Sequence, residues 1–359
     1  MSRSPRHLVP AVVAGALALA ACGTSSDTSS SAPSSAPAST AGATTAAPTT
    51  TAPSAATTTV AATTAAPSRR PGPGGGPFGT APTPTHSDVP YATTSASQVL
   101  DLWLPENATA ATPLVIYVHG GAFKSGDKGM VGGKVQPLLD AGYAVASVNY
   151  RLSGEALFPA GAQDVKAAVR WLRANAATYN LDPDKFAAWG ESAGGNLVAL
   201  LGTSGDQTSV LDDPTLGNAD VSSAVQAVVD WYGPTDFLQM DTQSASGGGC
   251  TSPESHDPAS SPESAWMGAP IQTVPDTVAQ ANPIAYIATA TQLAAFSIAH
   301  GDADCNIPYQ QSQILADALT QAGGDPQLTI LPGASHADAQ FDGTLLTPTI
   351  AWLGTVLAG

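Results

Sequence analysis

The hexapeptide Gly190-Glu191-Ser192-Ala193-Gly194-Gly195 restricts the possible folds more than any other stretch of this chain. It follows the apolar run Phe186-Ala187-Ala188-Trp189 and precedes a helix-like run, Asn196-Leu197-Val198-Ala199-Leu200-Leu201. A strand that must turn at once into a helix forces its corner residue into a strained conformation, and flanking glycines let the adjoining backbones pass without clash. The serine oxygen is then raised above the sheet edge, beside helix N–H groups that stabilise negative charge. Gly-x-Ser-x-Gly alone is a weak pattern in a chain with 35 glycines, because a plain turn between two elements gives the same letters. The strand–turn–helix setting is what makes Ser192 a candidate nucleophile.

The N-terminal residues read as targeting sequence. Arg3 and Arg6 precede an apolar run over 8–21 that is too short to span a bilayer comfortably and closes on small residues. This predicts a signal peptide over 1–21. Leu19-Ala20-Ala21-Cys22 is similar to a bacterial lipobox, in which Cys22 becomes the lipidated first residue of the mature chain; an ordinary secretory signal is the alternative. Residues 22–87 are mostly Ser, Thr, Ala, Pro and Gly, with too little apolar surface to offset the entropy of ordering them. They are expected to form a disordered tether. The expected location is therefore outside the cytoplasm, on the membrane through the Cys22 lipid or free if the lipobox is not used.

Residues 88–359 suit one large α/β domain. The formal net charge of the whole chain is −16, the last cation is Lys185, and eighteen Asp and Glu follow it. An acidic domain with no basic stripe argues against a nucleic-acid partner and against electrostatic adhesion to anionic lipid, leaving the N-terminal anchor as the expected route to a membrane. With Cys22 assigned to the anchor, Cys250 and Cys305 remain, an even pair that reads as a disulfide in an exported protein and otherwise as two free thiols.

Strand-like and helix-like patterns alternate along this domain. The runs 99–104, 114–118, 143–148, 186–189, 224–230, 293–298 and 327–330 read as strands, several of them continuously apolar as burial on both faces requires. Helical spacing covers 131–139, 164–177, 309–322 and 347–357, together with the run after the hexapeptide. The implied architecture is a mostly parallel sheet covered by helices on both faces. Between 237 and 283 the pattern breaks into Gly, Ser, Pro and Thr, an irregular excursion of the kind that forms lids and pocket walls.

Three further stretches fit a serine nucleophile. His119-Gly120-Gly121-Ala122-Phe123 follows a strand, and its glycines can turn N–H groups towards a developing oxyanion, with the N–H of Ala193 as a further donor. His119 itself reads as structural, because its place is the turn. His300-Gly301-Asp302-Ala303-Asp304 follows another strand, where a carboxylate can fix the tautomer of a catalytic imidazole; Asp302 and Asp304 compete for that role. The same loop starts like a calcium loop but lacks the required glycine after Asn306 and carries Gln313 where a glutamate belongs. His336, on the small-residue loop 332–336, is the only histidine after Asp304 and is the candidate general base. His7, His86 and His256 read as exposed bystanders, and no metal ligand set stands out.

These motifs together resemble the α/β-hydrolase superfamily, in the carboxylesterase branch that includes hormone-sensitive-lipase-like and BD-FAE-like (feruloyl and acetyl esterase-like) proteins. The resemblance covers nearly all of 98–359. It rests on HGGAF at 119–123 with Ser125-Gly126-Asp127, NYRL at 149–152, FPAGAQDVKAAVRWLRAN at 158–175, GESAGGN at 190–196, WYGPTDF at 231–237 and HGDADCNIPYQQS at 300–312. It implies an α/β-hydrolase fold, a triad of Ser192, Asp304 and His336 in the superfamily's chain order, and oxyanion donors at Gly121 and Ala122. Asp304 is the acid because it falls on the aspartate of the family's HG-x-x-D pattern. Ala122 replaces the third glycine of the lipase-like HGGG, which leaves the N–H available where φ is ordinary. Asp164 and Asp236 belong to family motifs as structural residues, and the Cys250–Cys305 pair is similar to one in some exported members.

The implied activity is hydrolysis of carboxylic esters through an acyl-enzyme, with no cofactor and with a small-molecule or polysaccharide-linked ester as substrate. A peptidase of the prolyl-oligopeptidase type shares this fold and triad but needs a charged pocket for a free amino terminus, which no motif places. An inactive, surface-tethered binding module is the reading from another class. The pocket walls are expected from 237–283 and from the surroundings of Phe123 and Tyr150.

Overall fold

Eight strands form one sheet in the computed structural model, which describes residues 79–106 and 108–358. In chain order they are β1 (His86–Pro90), β2 (Val99–Trp103), β3 (Thr112–Val118), β4 (Ala144–Val148), β5 (Leu181–Glu191), β6 (Ala227–Trp231), β7 (Ala295–Gly301) and β8 (Gln327–Leu331). They lie in the order β1-β2-β4-β3-β5-β6-β7-β8. Only β2 runs against its neighbours, pairing antiparallel with both β1 and β4; all later pairings are parallel. The apolar runs that suggested doubly covered strands are these central ones. Alternate residues of each feed two separate cores, as the two-residue side-chain period of a strand dictates.

The helices are α1 (Val135–Asp140), α2 (Ala160–Ala174), α3 (Ala193–Ser204), α4 (Met240–Ser246), α5 (Pro262–Met267), α6 (Pro275–Gln280), α7 (Ile284–Ile287), α8 (Gln310–Gln321) and α9 (Leu346–Leu357). On one face Leu114, Ile116, Phe186, Ala188 and Val228 pack with Val165 and Val169 of α2, Leu197 and Leu201 of α3, and Leu315 of α8. On the other, Val115, Tyr117, Trp189, Val229 and Trp231 pack with Val135 and Leu138 of α1 and Leu353 and Leu357 of α9.

Several boundaries differ from the sequence expectation for local reasons. The helix expected over 131–139 is a 3₁₀ turn, Lys128–Lys134, followed by α1, because Gly132 adopts φ 50° and ψ −132° and interrupts it. The helix expected at 164–177 starts earlier, at Ala160, and ends at Ala174. Strand β1 begins inside the stretch 22–87 assigned to the tether. The preceding residues are also held, with Trp103 Nε1 donating to the Pro82 carbonyl at 2.8 Å and the Leu104 N–H to Thr85 Oγ1 at 3.0 Å. The signal peptide, Cys22 and most of the tether lie outside the described residues.

The excursion at 237–283 combines short helices with an irregular stretch over 247–261. Six- and seven-residue helices are too short to show a periodicity, and too short to persist unless packed. Their start and stop signals are present nonetheless: Ser261 caps α5 by accepting from the Ser264 N–H, Pro262 opens the helix, and Gly268 ends it at φ 78°. Trp266 anchors the segment, stacked on Phe123 with centroids 3.9 Å apart and edge-on to Phe158 at 5.1 Å. Met240, Ile271 and Val278 are buried with it in the core on the α3 face. Trp266→Ala should therefore destabilise the domain by about 3–5 kcal/mol, measurable as a lowered urea midpoint; an unchanged midpoint would mean the excursion is not part of the core.

Candidate active site

The corner between β5 and α3 is closed by backbone contact alone. A Cβ on Gly190 would lie 2.1 Å from the Gly194 carbonyl oxygen, and one on Gly194 would lie 2.1 Å from that of Val118. Any side chain at either position would push the helix off the strand. Ser192 takes φ 56° and ψ −124°, which a non-glycine residue adopts only under strain on the order of 1–3 kcal/mol. Its N–H donates to the Trp231 carbonyl at 2.9 Å, which fixes the corner to the end of β6.

His336 brings its Nε2 to 3.0 Å from Ser192 Oγ, and its Nδ1 lies 2.7 Å from Asp304 Oδ2. Of the two competing carboxylates, then, Asp304 faces the imidazole. Asp302 instead accepts the Gly333 N–H at 2.6 Å, holding the start of the histidine loop. Asp304 Oδ1 accepts the N–H groups of Asn306 and Ile307 at 2.8 and 3.0 Å, and His300 Nε2 lies 3.2 Å from Oδ2. Burial alone would raise the Asp304 pKa, but hydrogen bonds from His300 and His336 hold it far below the ordinary carboxylate range. His300 is buried, contacts the Ile307 carbonyl at 3.0 Å through the same Nε2, and pairs its Nδ1 with Ser312 Oγ at 2.7 Å.

The turn after β3 holds its peptide planes from behind. His119 Nδ1–H donates to the Gly120 carbonyl at 2.7 Å, and the Gly121 carbonyl accepts the N–H groups of Lys124 and Ser125 at 3.1 and 3.0 Å. A trans peptide sets its N–H opposite its C=O, so pinning these two carbonyls directs the Gly121 and Ala122 N–H groups the other way. His119, stacked on Tyr150 at 4.4 Å and accepting the Tyr150 hydroxyl proton at its carbonyl, is a structural part of this turn. Ala122 sits at φ 57°, so its φ is not the ordinary one expected, and the residue carries strain that the third glycine would avoid. Ala193 is the first residue of α3, where an N–H has no intrahelical acceptor.

Two pockets meet at Ser192. The larger, about 270 Å³, is walled by Gly121, Met130, Tyr232 and Ala337; the smaller, about 40 Å³, runs past Ala193 and Ile307 to Glu254, His256 and Glu263. The excursion thus contributes a pocket wall, as does Phe123, whereas Tyr150 borders neither pocket. Cys250 and Cys305 form a disulfide that joins the excursion to the residue after Asp304.

Some contributing residues gave no local signal in the sequence. Glu191, next to the nucleophile, is buried and pairs with Lys134 Nζ at 2.7 Å, and Lys134 also reaches Asp342 at 2.8 Å. The Tyr232 hydroxyl donates to Glu191 Oε2 at 3.0 Å, and its ring lies edge-on to His336 at 4.9 Å. Two histidines read as bystanders are not free: His86 packs edge-on to Tyr179, and His256 is buried against Glu263. Asp164 and Asp236 are structural as expected, the first accepting from Gln98 and Arg151, the second capping the turn at Phe237. Among the described residues, no group of three or more His, Cys, Asp or Glu side chains is arranged to hold a metal ion.

A model of the BD-FAE family matches residues 100–319. The chain belongs to the BD-FAE family. Its relatives include Esterase LipQ of Mycobacterium tuberculosis, 31% identical over 257 residues that cover 70% of this chain and 56% of that protein. Esterase LipC of the same organism is 30% identical and is matched over 60% of its length. The chain therefore spans little more than half of these curated relatives. A truncated carbohydrate esterase from gut microbiota superposes with a TM-score of 0.69 at 31% identity, over 80% of this chain and 100% of that one. A bifunctional GH43-CE protein of Bacteroides eggerthii gives 0.65 at 32% identity, over 76% of this chain and 38% of that one. The mostly parallel eight-stranded sheet with helices on both faces is the α/β-hydrolase fold.

One buried carboxyl in this BD-FAE domain behaves oppositely to Asp304. Asp230, in register with Gly190, is fully buried, and burial pushes its pKa up to about 7 although the Gly233 N–H pulls the other way. The unfolded chain gives up this proton near the ordinary value and the folded chain near 7, so the folded state loses stability as pH rises through that window. Relative to wild type, Asp230→Asn should gain stability between pH 4.5 and pH 8 in parallel urea titrations. An equal gap at both pH values would contradict a retained proton.

Proposed function

We propose that this protein hydrolyses carboxylic esters through an acyl-enzyme formed on Ser192. The observation that carries the reading is the unbroken line of hydrogen bonds from Ser192 Oγ through His336 to Asp304. His336 Nε2 takes the serine proton as Oγ attacks the ester carbonyl carbon. Asp304 holds the opposite nitrogen and balances the charge the ring acquires; its several donors keep it ionised for that task. The N–H groups of Gly121, Ala122 and Ala193 receive the oxyanion, and losing one of these donors would cost roughly 3–4 kcal/mol of barrier. The ring then returns its proton to the departing alcohol, and water repeats the sequence to release the acid. Substrates are small-molecule or polysaccharide-linked esters, a class supported by the name of one structural neighbour, the truncated carbohydrate esterase.

Ser192→Ala should abolish turnover of p-nitrophenyl acetate and labelling by a fluorophosphonate probe, while Asp304→Asn should lower kcat on the order of 10⁴-fold with labelling slowed. Retained turnover in pure Ser192→Ala protein would overturn the mechanism.

The same proposal includes export, with Cys22 as a lipid anchor and the following Ser/Thr/Ala/Pro-rich stretch as a spacer. Cys22→Ala in a bacterial host should move the protein from the membrane fraction to the soluble exported fraction. An unchanged distribution would exclude a lipid at that residue.

A further inference from the structure

His256 and Glu263 belong to no step described above, yet they border the small pocket that Ser192 also borders. Both are almost fully buried, with exposures of 2% and 4%. Two elements fix the ring. The Asp241 carboxylate accepts the His256 and Asp257 N–H groups at 2.6 and 3.2 Å and the Ser255 hydroxyl at 2.8 Å, which sets the loop. Glu263, in the first turn of α5, lies 3.0 Å from His256 Nδ1 through its Oε2. The other ring nitrogen, Nε2, is buried and has no hydrogen-bond partner among the described residues.

A histidine and a glutamate that served packing alone would be replaceable by apolar residues without leaving a buried nitrogen unmet. The pocket adds a further constraint. At about 40 Å³ it has room for only a few non-hydrogen atoms. Any part of a bound ester that enters it lies near the carbonyl that Ser192 attacks, because Ser192 borders the same pocket. Nδ1–H is committed to Glu263, so Nε2 accepts a proton when the ring is neutral and donates one when it is charged. A hydroxyl satisfies either state. An ammonium group does not, because the Glu263 charge is already engaged by the imidazole, and burial notwithstanding, that carboxylate with Asp241 and Glu254 holds the His256 pKa above its ordinary value.

We infer that His256, held by Glu263, is a specificity-determining residue that binds a substrate hydroxyl close to the scissile carbonyl, with two to four bonds between the hydroxyl oxygen and the carbonyl carbon. The inference rests on the ester-hydrolase reading. The hydroxyl can belong to the acid, as in a 2-hydroxyacyl ester, or to the alcohol, as in the monoester of a vicinal diol.

Two isosteric pairs separate these sources: ethyl glycolate against ethyl propionate, and 2-hydroxyethyl acetate against propyl acetate. Values of kcat/KM, each divided by the rate constant for alkaline hydrolysis of the same ester, remove intrinsic reactivity. The wild-type protein is expected to favour the hydroxylated member of one pair by about tenfold or more, and the pair that responds names the side. In His256→Leu that ratio should fall towards one; His256→Gln, if it folds where His256→Leu does not, should lower it less. Should neither variant fold, the wild-type ratios decide alone. Ratios near one in both pairs overturn the inference, as does a preference for ethyl glycinate over ethyl glycolate or a ratio that survives in a folded His256→Leu protein. Failure of folded wild type to cleave any of these esters, or p-nitrophenyl acetate, overturns the esterase reading itself.

Discussion

The strained corner at Ser192 is the constraint to which the rest of this domain answers. A serine at φ 56° persists only where neighbouring structure leaves no alternative. Here the end of β5 is paired with β3 from Phe186 to Gly190 and with β6 from Ala187 to Glu191, and α3 is buried throughout, so neither the incoming strand nor the outgoing helix can relax. Glycines at 190 and 194 permit the approach, and the Ser192 N–H closes it onto Trp231. Because the corner is fixed from below, loops from four other strand ends can be arranged around one oxygen atom. The turn after β3 supplies N–H groups, the loop after β7 the carboxylate, the loop after β8 the imidazole, and the loop after β6 the start of the pocket wall.

Burial does not determine how a carboxyl behaves here; the number of donors does. Asp304 and Asp230 both sit at strand ends near the corner, and both lose nearly all contact with water. Asp304 faces two backbone N–H groups and two imidazoles and stays charged under strongly acid conditions. Asp230 has one donor, the Gly233 N–H, and one oxygen with no partner, and it keeps its proton close to neutrality. The same low-dielectric interior thus holds one carboxyl as an anion beside the imidazole and another as an acid beneath the helix start.

What the sequence made legible follows from how local each signal is. Continuous apolar runs such as Leu114–Val118 announce buried parallel strands, and Gly-Glu-Ser-Ala-Gly announces the corner, because both are set by neighbours along the chain. Asp302 and Asp304 share one loop, and nothing local distinguishes a carboxylate that turns to Gly333 from one that turns to His336; the family spacing does so only by analogy. The Lys134–Glu191 and His256–Glu263 pairs were unreadable for other reasons. Lys134 and Glu191 are far apart in sequence and meet only through the fold. His256 and Glu263 fall in a stretch with the composition of a polar loop, because α5 is too short to show a helical period. Strand β1 was not legible because His86-Ser87-Asp88-Val89-Pro90 is short and has Val89 as its one apolar residue besides proline, so it shows no alternation.

The disulfide changes the topology of the pocket wall as well as its rigidity. Cys250 and Cys305 lie 55 residues apart, so the intervening chain is a closed covalent ring. That ring contains His256, Glu263, Trp266, the whole of β7 and Asp304. A single peptide-bond cut anywhere inside it frees no fragment: the two severed ends stay joined through sulfur, and the stacked Trp266 and the paired strand β7 continue to hold each piece in register. The part of the domain with the most turns and the most short helices is also the part that one proteolytic event cannot detach.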